Sequence, residues 1–256
     1  MISNKIPDDF FEHLNISPRV GSLSKHFADI ASGEIQKPKR LVRPNKEYLK
    51  KNHSLNLIYT KLKGRLGVFN EHFYSSCPYA LENCIRLIDA IYIYQQKKSI
   101  NGNNFSFYEP GGGCGDLSRI LSEISFNRIA SLCTSSTKEN QVEFDKYVNS
   151  HKAIFKNIPY YEITKKRILS DKDLKIFTGG FNVIYERNVF QMYNPDRINQ
   201  IKILTNVLQE DGIIILEEKL KQCNSDDYDH REQIKDHLFK SQYYDINQIA
   251  IKKNNT

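Results

Sequence analysis

The sequence lacks long hydrophobic runs and has few cysteines. No stretch of about eighteen apolar residues occurs in the 256 residues, which excludes an ordinary membrane-spanning helix. The five cysteines are odd in number and lack paired metal-ligand spacing, so neither a disulfide framework nor a zinc site is indicated. The first residues, MISNKIPDDFFEHL, carry acids where a secretion signal has a basic and then an apolar stretch. We therefore expect a cytoplasmic globular protein without a metal.

The basic residues are concentrated in one segment. The formal net charge is +7, and ten of the Lys and Arg residues lie between Lys37 and Arg65 with a single acid, Glu47. Such a cluster attracts phosphates or anionic lipid in a salt-dependent way. Charge runs are more often solvated, partly mobile linkers, and we favour that interpretation over nucleic-acid binding.

The pattern of the chain predicts two parts. Residues 1–66 form an N-terminal helical and basic appendage, with short amphipathic pieces at DDFFEHL and VGSLSKHFADIASG, and with Pro38 and Pro44 interrupting any long helix. Residues 67–256 form one larger domain, which opens with a helix that ends at the turn NGNN. No internal repeat or low-complexity tract is present.

From Phe105 onward, strand-like and helix-like stretches alternate, which is typical of an α/β fold with an open, mostly parallel sheet and helices on both faces. The predicted strands are FSFYE, RIASLCT, IPYYEIT, FNVIYE and, after a turn at QEDG, GIIILEE. The predicted helices are LSRILSEI, TKENQVEFDKYVNSH, DRINQIKILTNVLQ and, capped by an Asp, DDYDHREQIKDHLFKSQYY. The last stretch, DINQIAIKKNNT, predicts a strand or a helix start, and the chain stops where one more strand could be expected.

The stretch EPGGGCGD joins the first predicted strand to the next helix. Open α/β sheets bind ligands outside the carboxyl ends of their strands, where this turn lies. A Cβ at its glycines would occupy the ligand's volume or forbid a positive φ. The spacing differs from the G-x-G-x-x-G of dinucleotide folds, and no G-K-[ST] follows, which excludes a P-loop. Glu109 and Asp116 flank the turn, and these acids favour a ligand with an amine or sulfonium over a pyrophosphate.

The spacing acid-x-G-x-G-x-G resembles the first motif of the class I S-adenosylmethionine-dependent methyltransferases, and it is matched at Glu109, Gly111, Gly113 and Gly115. The later block GGFNVIYERNVFQMYNPDRINQIKILTNVLQEDGIIILEE resembles the fourth strand, following helix and fifth strand of that family, with EDG where Pro-Gly-Gly is usual. The resemblance implies a Rossmann-like fold, S-adenosyl-L-methionine as the cofactor, and transfer of a methyl group to a small-molecule acceptor.

The resemblance also implies cofactor contacts. Glu109, Pro110 and the three motif glycines would line the methionine part, with Glu109 holding the amino group directly or through water. The family commonly binds the ribose through an acid at the end of the second strand. Here the stretch is SLCTSSTKE, so the ribose would be held by hydroxyl groups at Thr134, Ser135 and Ser136 or by the Glu139 carboxylate. The alternative is a polar helix cap, in which Ser136 or Thr137 bonds the first turn of the next helix.

Two further sets of candidates follow the third and fourth predicted strands. For the adenine they are Asp171 and Asp173, either of which can instead cap a helix. After the fourth strand they are the charged triplet Glu186, Arg187 and Asn188. Charged side chains placed directly after an apolar strand have an unfavourable desolvation free energy, which suggests a function. We therefore expect the triplet beside the methyl group and the substrate, and the alternative is an ion pair with the N-terminal helices.

Methyl transfer depends mainly on positioning, because the sulfonium is already activated. Glu186, which we also place among the cofactor contacts, is the best candidate for a base if the acceptor must lose a proton, and His72 is a weaker one. The N-terminal helices are expected to form a lid over the open site.

Two other classes of function stay open. An RNA or protein methyltransferase would use the basic segment 37–65, although the sequence has neither an N/D-P-P-Y motif nor the Lys-Asp-Lys-Glu set of ribose-methylating enzymes. A non-catalytic protein with a degraded methyltransferase fold would explain the missing ribose acid and the abrupt C-terminus.

Overall fold

The structure is a computed structural model. The residues that it describes are 6, 10, 18–50, 52–98, 105–193, 195–219 and 223–255. Apart from Phe10, the predicted piece DDFFEHL lies outside the described residues, and so does the turn NGNN.

One parallel sheet forms the centre of the protein. Its strands are β1 Phe105–Glu109, β2 Ile129–Thr134, β3 Ala153–Lys156, β4 Phe181–Arg187 and β5 Leu208–Glu217. They lie in the order β3-β2-β1-β4-β5, and each neighbouring pair is parallel. All residues of β1 and β2 are buried, because helices cover both faces of such a sheet. The Rossmann-like α/β fold with an open parallel sheet is therefore confirmed.

Helices precede the sheet and connect its strands. Among the described residues, the α-helices are α1 Pro18–Ser32, α2 Lys46–Lys50, α3 His53–Leu62, α4 Val68–Ser76, α5 Ala80–Lys98, α6 Asp116–Ile124, α7 Glu139–Tyr147, α8 Lys165–Ser170, α9 Arg197–Thr205, α10 Ser225–Ile234 and α11 Ile246–Asn255. No helix of the described part is both long and apolar enough to cross a membrane. The predicted boundary at residue 66 falls in the connection between α3 and α4.

The third strand was predicted in the wrong place. IPYYEIT is not a strand, and β3 is the earlier stretch AIFK. Pro159 precedes a short 3-10 turn over Tyr160–Glu162, in which the Tyr160 ring is buried in the core. Proline has no N–H group to donate to a strand neighbour, which disfavours pairing at this point. β3 was missed because it has only four residues and its burial alternates, so it leaves little apolar signal.

The predicted turn at QEDG is part of β5. The register between β4 and β5 shifts, from Phe181 paired with Leu208 to Val183 paired with Ile213, so the extra residues bend the strand instead of ending it. Gly212 lies in this irregular part, where a Cβ would come within 2.8 Å of the Phe181 carbonyl oxygen.

The C-terminal stretch is helical. α10 begins after Asn224, whose side chain accepts a hydrogen bond from the Asp226 N–H, so the predicted Asp cap is wrong. A π-helical turn at Lys235–Phe239 and a 3-10 turn follow, and the final stretch forms α11 rather than a strand.

The basic segment is not a mobile linker, which corrects our interpretation of its charge. It contains α2 and α3, and these helices bury Leu49, Leu55 and Ile58 in the same hydrophobic cluster as Leu117 of α6. The apolar side chains between the cations recur at helical spacing, so they share one face of each helix and pack on the core. This burial of apolar side chains holds the segment in place.

Candidate active site

The glycine turn leaves β1 at Glu109 and enters α6 at Asp116. Gly111, Gly113 and Gly115 have φ values of +61°, +58° and +64°, in the left-handed region that strains residues with a Cβ. Within the turn the Gly115 N–H donates to the Gly112 carbonyl oxygen at 3.0 Å. The positive φ expected at the three motif glycines is therefore present.

The same glycines let three other elements approach the turn. A Cβ at Gly111 would come within 2.5 Å of Val189 in the loop after β4, and one at Gly115 within 2.8 Å of Phe144 in α7. A Cβ at Gly113 would collide with the Asn70 side chain of α4. The part of our expectation in which a Cβ at these glycines would occupy ligand volume is thus corrected, because each Cβ would first contact a protein side chain.

The Glu109 side chain is buried and packs against Gly112. A Cβ at Gly112 would collide with the Glu109 carboxyl group. Its Oε2 accepts hydrogen bonds from the Ser118 N–H at 3.1 Å and the Ser118 hydroxyl at 2.8 Å. Its Oε1 has no hydrogen-bond partner among the described residues. Burial, with a contribution from Asp116, raises the pKa of Glu109 to about 7. The carboxyl group therefore joins the turn to the start of α6, and neither it nor the buried Pro110 lines the cavity described next.

A cavity of about 680 Å³ lies over the turn. Gly111, Gly112 and Gly113 line it, together with residues 135–140 after β2 and the loop after β4. Helices α1 and α4 contribute another wall, and a further part is lined by Lys219, Glu232, Lys235 and Lys240. Volumes of this size are typical of small-molecule sites, which lie at such sheet edges in open α/β folds.

The hydroxyl residues at the end of β2 have separate roles. The Thr134 hydroxyl is buried, hydrogen-bonds with the Tyr108 hydroxyl at 3.1 Å and accepts from the Gly111 N–H at 3.4 Å, so it braces the glycine turn. The Ser135 hydroxyl accepts from the Thr137 N–H at 3.2 Å and also lines the cavity. Glu139 lines the cavity at the start of α7. Of these candidates, Ser135 and Glu139 therefore face the space where a ligand would bind.

The two adenine candidates lie elsewhere. Asp171 and Asp173 form ion pairs with Lys156 at the end of β3, at 2.8 and 2.9 Å. Asp171 also accepts a hydrogen bond from the Asp173 N–H at 3.0 Å, and its pKa is lowered by the hydrogen bond from Lys156. Neither residue lines the cavity, because Lys156 holds both at the end of β3.

Glu186, at the end of β4, is fully buried and does not line the cavity. Its Oε1 accepts hydrogen bonds from the Val189 N–H at 2.6 Å and the Phe190 N–H at 3.1 Å. Glu218 accepts from the same Phe190 N–H at 2.9 Å. Burial, and then the adjacent Glu218, raise the pKa of Glu186 well above its ordinary value. The Glu186 carboxyl group thus fixes the loop after β4 through these two backbone hydrogen bonds, from the side away from the cavity.

Arg187 and Asn188 do line the cavity. The Arg187 guanidinium lies 4.6 Å from the centre of the Phe73 ring, and its Nη1 donates to the Tyr74 hydroxyl at 3.3 Å. The Tyr74 hydroxyl donates in turn to the buried carboxylate of Asp116. Asn188 has a φ of +56° and its N–H donates to the Glu217 carbonyl oxygen at 2.8 Å. The end of β4 is therefore joined to α4 and to the start of α6.

Comparison with known proteins gives similarities of fold. No family model and no curated protein matches the chain. One similar solved structure is coclaurine N-methyltransferase bound to N-methylheliamine and SAH, with 14% sequence identity and a TM-score of 0.38. A second is a SAM-dependent methyltransferase from Geobacter sulfurreducens in complex with S-adenosyl-L-homocysteine, with 12% identity and a TM-score of 0.44. A third is the plantazolicin methyltransferase BpumL in complex with a pentazolic desmethylPZN analog and SAH, with 14% identity and a TM-score of 0.45. All three are methyltransferases.

The alignments cover 77%, 77% and 82% of this chain, and 51%, 69% and 71% of the respective neighbours. The chain thus spans about half the length of the coclaurine enzyme. We therefore infer the roles of individual residues from the geometry of the cavity and not from these similarities.

Asn70 of α4 is a site residue that sequence reasoning missed. Its Oδ1 accepts a hydrogen bond from the Cys114 N–H at 3.1 Å, which joins α4 to the glycine turn. Its Nδ2 is buried and has no hydrogen-bond partner among the described residues. The neighbouring His72, predicted as a weak base, lines the cavity with its Nδ1 3.4 Å from the Gln36 carbonyl oxygen. Nothing local distinguishes Asn70 in FNEHFY, because its role arises only when α4 packs on the turn.

Proposed function

We propose that this protein is an S-adenosylmethionine-dependent methyltransferase that acts on a small-molecule acceptor. The observation that carries the proposal is the floor of the cavity, where the turn after β1 presents Gly111, Gly112 and Gly113. This turn lies where the strand order reverses between β1 and β4, the usual ligand position in an open α/β sheet. The helix after the turn begins with the buried Asp116, and an acid already at this helix start disfavours a phosphate there.

The polar groups of the cavity suit a nucleoside with an amino-acid tail. The turn glycines and the unpaired Asn70 Nδ2 would hold the methionine part, and Ser135 with Glu139 would hold the ribose hydroxyls. Thr134 and Glu109 support the turn from behind it. Asp171 and Asp173 have no part in this proposal. When bound, the cofactor supplies a methyl group that is already activated on a sulfonium.

The chain then has to orient an acceptor and exclude water. α1 and α4 cover the cavity, while Arg187 and Asn188 are the members of the predicted triplet that an acceptor can touch. Orientation of this kind can supply roughly 7 to 11 kcal/mol of a barrier in well-arranged cases. Glu186 is not proposed as a base, because its carboxyl group is fully buried, lies outside the cavity lining and accepts hydrogen bonds from two backbone N–H groups.

The alternative of an RNA methyltransferase has less support. Within the basic segment, Lys61 and Arg65 form ion pairs with Glu123 of α6 at 2.6 and 2.9 Å. Arg40 donates to the Gln242 side chain at 2.9 Å and lies over the Tyr243 ring. These cations are already used to hold the N-terminal helices against the rest of the protein.

The test is transfer of a labelled methyl group. The full chain is incubated with methyl-labelled S-adenosylmethionine and, separately, with a panel of small organic molecules, total RNA and a protein extract. We expect label in a small molecule and release of S-adenosylhomocysteine. Label in RNA or protein would contradict the acceptor class, and the absence of both label and S-adenosylhomocysteine would favour a non-catalytic protein.

A further inference from the structure

Arg187 is a cation in the wall of the cavity that has no acidic partner in direct contact. Its guanidinium lies among the rings of Phe73, Tyr74 and Tyr185, at 4.6, 5.4 and 5.7 Å from their centres. Among the described residues no carboxylate forms an ion pair with it, and the Tyr74 hydroxyl lies between it and Asp116 as a hydrogen-bonding bridge. Asp116 and Glu109 interact with the guanidinium electrostatically from a longer distance. The rings fix the guanidinium in place and leave most of its N–H donors unassigned.

The rest of the cavity is also cationic. Besides Arg187, the basic side chains in its described lining are Lys138, Lys219, Lys235 and Lys240, and the acidic ones are Glu139 and Glu232. Glu232 is shared between Lys235 and, at 3.9 Å, Lys219. Lys240 pairs with Asp236 at 2.7 Å. The lining therefore carries more positive than negative charge, which attracts an anionic ligand.

The remaining wall is apolar and partly aromatic. The side chains that form it come from α1, from α4 and from the loop after β4, and they include Leu23, Phe27, Ile30, Phe69, Phe73 and Met192. A ligand that fills this space must bury an apolar or aromatic body. Phe73 belongs both to this wall and to the rings around Arg187, so the apolar surface and the guanidinium adjoin.

We infer that the methyl acceptor is an organic acid with an apolar or aromatic body, whose carboxylate binds Arg187. The guanidinium fork matches the two oxygens of a carboxylate, and a single guanidinium suits a singly charged planar group. The identity of this molecule as the methyl acceptor rests on the proposed function, whereas the anion site stands on the residues around Arg187.

The first test uses the unmodified protein and two probes of the same shape. 4-Phenylbutyrate and its neutral amide, 4-phenylbutyramide, are titrated by calorimetry at low and high salt, with and without S-adenosylhomocysteine. We expect the carboxylate to bind about 10- to 100-fold more tightly than the amide, the range for hydrogen bonds to a charged group. Equal affinity for the two probes, or binding of neither, would overturn the inference.

The second test uses variants of one arginine and a matched control. Arg187→Met should abolish the preference for carboxylate over amide, and Arg187→Lys should retain part of it, because the charge remains but the fork is lost. Arg128→Met removes an exposed arginine outside the cavity lining and should behave like the parent. If Arg187→Met weakens S-adenosylhomocysteine but leaves 4-phenylbutyrate unchanged, Arg187 serves the cofactor and the inference is wrong.

The two proposals fail separately. If the parent binds S-adenosylhomocysteine but shows no preference for the carboxylate, the acceptor class is wrong and the methyltransferase proposal stands. If the parent prefers the carboxylate but does not bind S-adenosylhomocysteine, the anion site stands and the methyltransferase proposal fails. Should Arg187→Met not fold, the comparison of probes on the parent still decides.

Discussion

At the scale of single residues, Glu186 shows how position in the sequence and position in space can imply different roles. The acid follows an apolar strand, and from the sequence we predicted a base whose loss would lower turnover. In the structure the carboxyl group accepts from the Val189 and Phe190 N–H groups and lies behind the cavity wall. It therefore stabilises a loop.

Glu186→Gln is consequently expected to be mild. Glutamine keeps an oxygen for the two N–H groups and an amide that can donate to Glu218. Below about pH 4, where the parent keeps the Glu186 proton in both the folded and the unfolded state, stability should therefore change by less than about 1 kcal/mol. Glu186→Ala leaves the buried Val189 N–H without its acceptor, while the Phe190 N–H still donates to Glu218, and should cost about 1 to 3 kcal/mol. Thermal unfolding of both variants checks this. A Glu186→Gln protein with parental stability and turnover reduced by about 100-fold would instead make Glu186 a catalytic base.

The same carboxyl group predicts a pH dependence of stability. The pKa of Glu186 is raised from 4.5 to about 9 in the folded protein. Between these values the unfolded chain releases a proton that the folded chain keeps, so the free energy of unfolding falls as the pH rises. Glu109, with a pKa of about 7, adds to this fall at the lower end of the interval.

The measurement compares melting temperatures of the parent and Glu186→Gln across this interval of pH. The parent should lose stability more steeply with rising pH than the variant, because glutamine does not titrate there. Parallel curves for the two proteins would show that Glu186 keeps an ordinary pKa.

At the scale of elements, the cavity depends on the packing contact between α4 and the glycine turn. Gly113 has a positive φ, and a Cβ there would collide with Asn70 and come within 2.9 Å of Phe69, both on α4. Gly64 also has a positive φ, of +74°, but has nothing within 4 Å of a Cβ. Substituting alanine at Gly64 therefore tests backbone strain alone, whereas alanine at Gly113 adds the displacement of α4 to the same strain.

Gly64→Ala should cost about 1 to 2 kcal/mol of stability from its backbone and leave S-adenosylhomocysteine affinity unchanged. Gly113→Ala should carry the same strain and in addition weaken that affinity by at least about tenfold, because α4 and Asn70 must move. Thermal unfolding and calorimetry on both proteins check this. Equal affinities of the two variants for S-adenosylhomocysteine would mean that the contact between α4 and the glycine turn does not affect ligand binding.

The elements also show what could be predicted from the sequence and what could not. β4 and the later part of β5 were predicted from the apolar runs FNVIY and IIIL, which are typical of parallel strands. β3 was misplaced, since its four residues alternate in burial while the aromatic residues of IPYYEIT fill the core without forming a strand. Asn70 was missed because its function requires α4 to pack on a turn some forty residues later.

At the scale of the whole molecule, the N-terminal helices and the sheet form the candidate site together. α2 and α3 are buried in the core cluster, and α1 and α4 cover the cavity over the carboxyl ends of the strands. From the sequence we expected a lid, but not that the basic segment would be packed by its own leucines and isoleucines. Its charge suggested a linker, because a net charge does not reveal which apolar side chains lie between the cations.

The most direct measurement is a calorimetric titration of the full chain with S-adenosylhomocysteine, repeated with Gly113→Ala. The proposed function predicts saturable binding of one molecule per chain to the parent and clearly weaker binding to the variant, because the glycine turn is the floor of the cavity. A folded parent protein that gives no binding heat at any temperature tried, or a Gly113→Ala protein that binds as tightly as the parent, would contradict it.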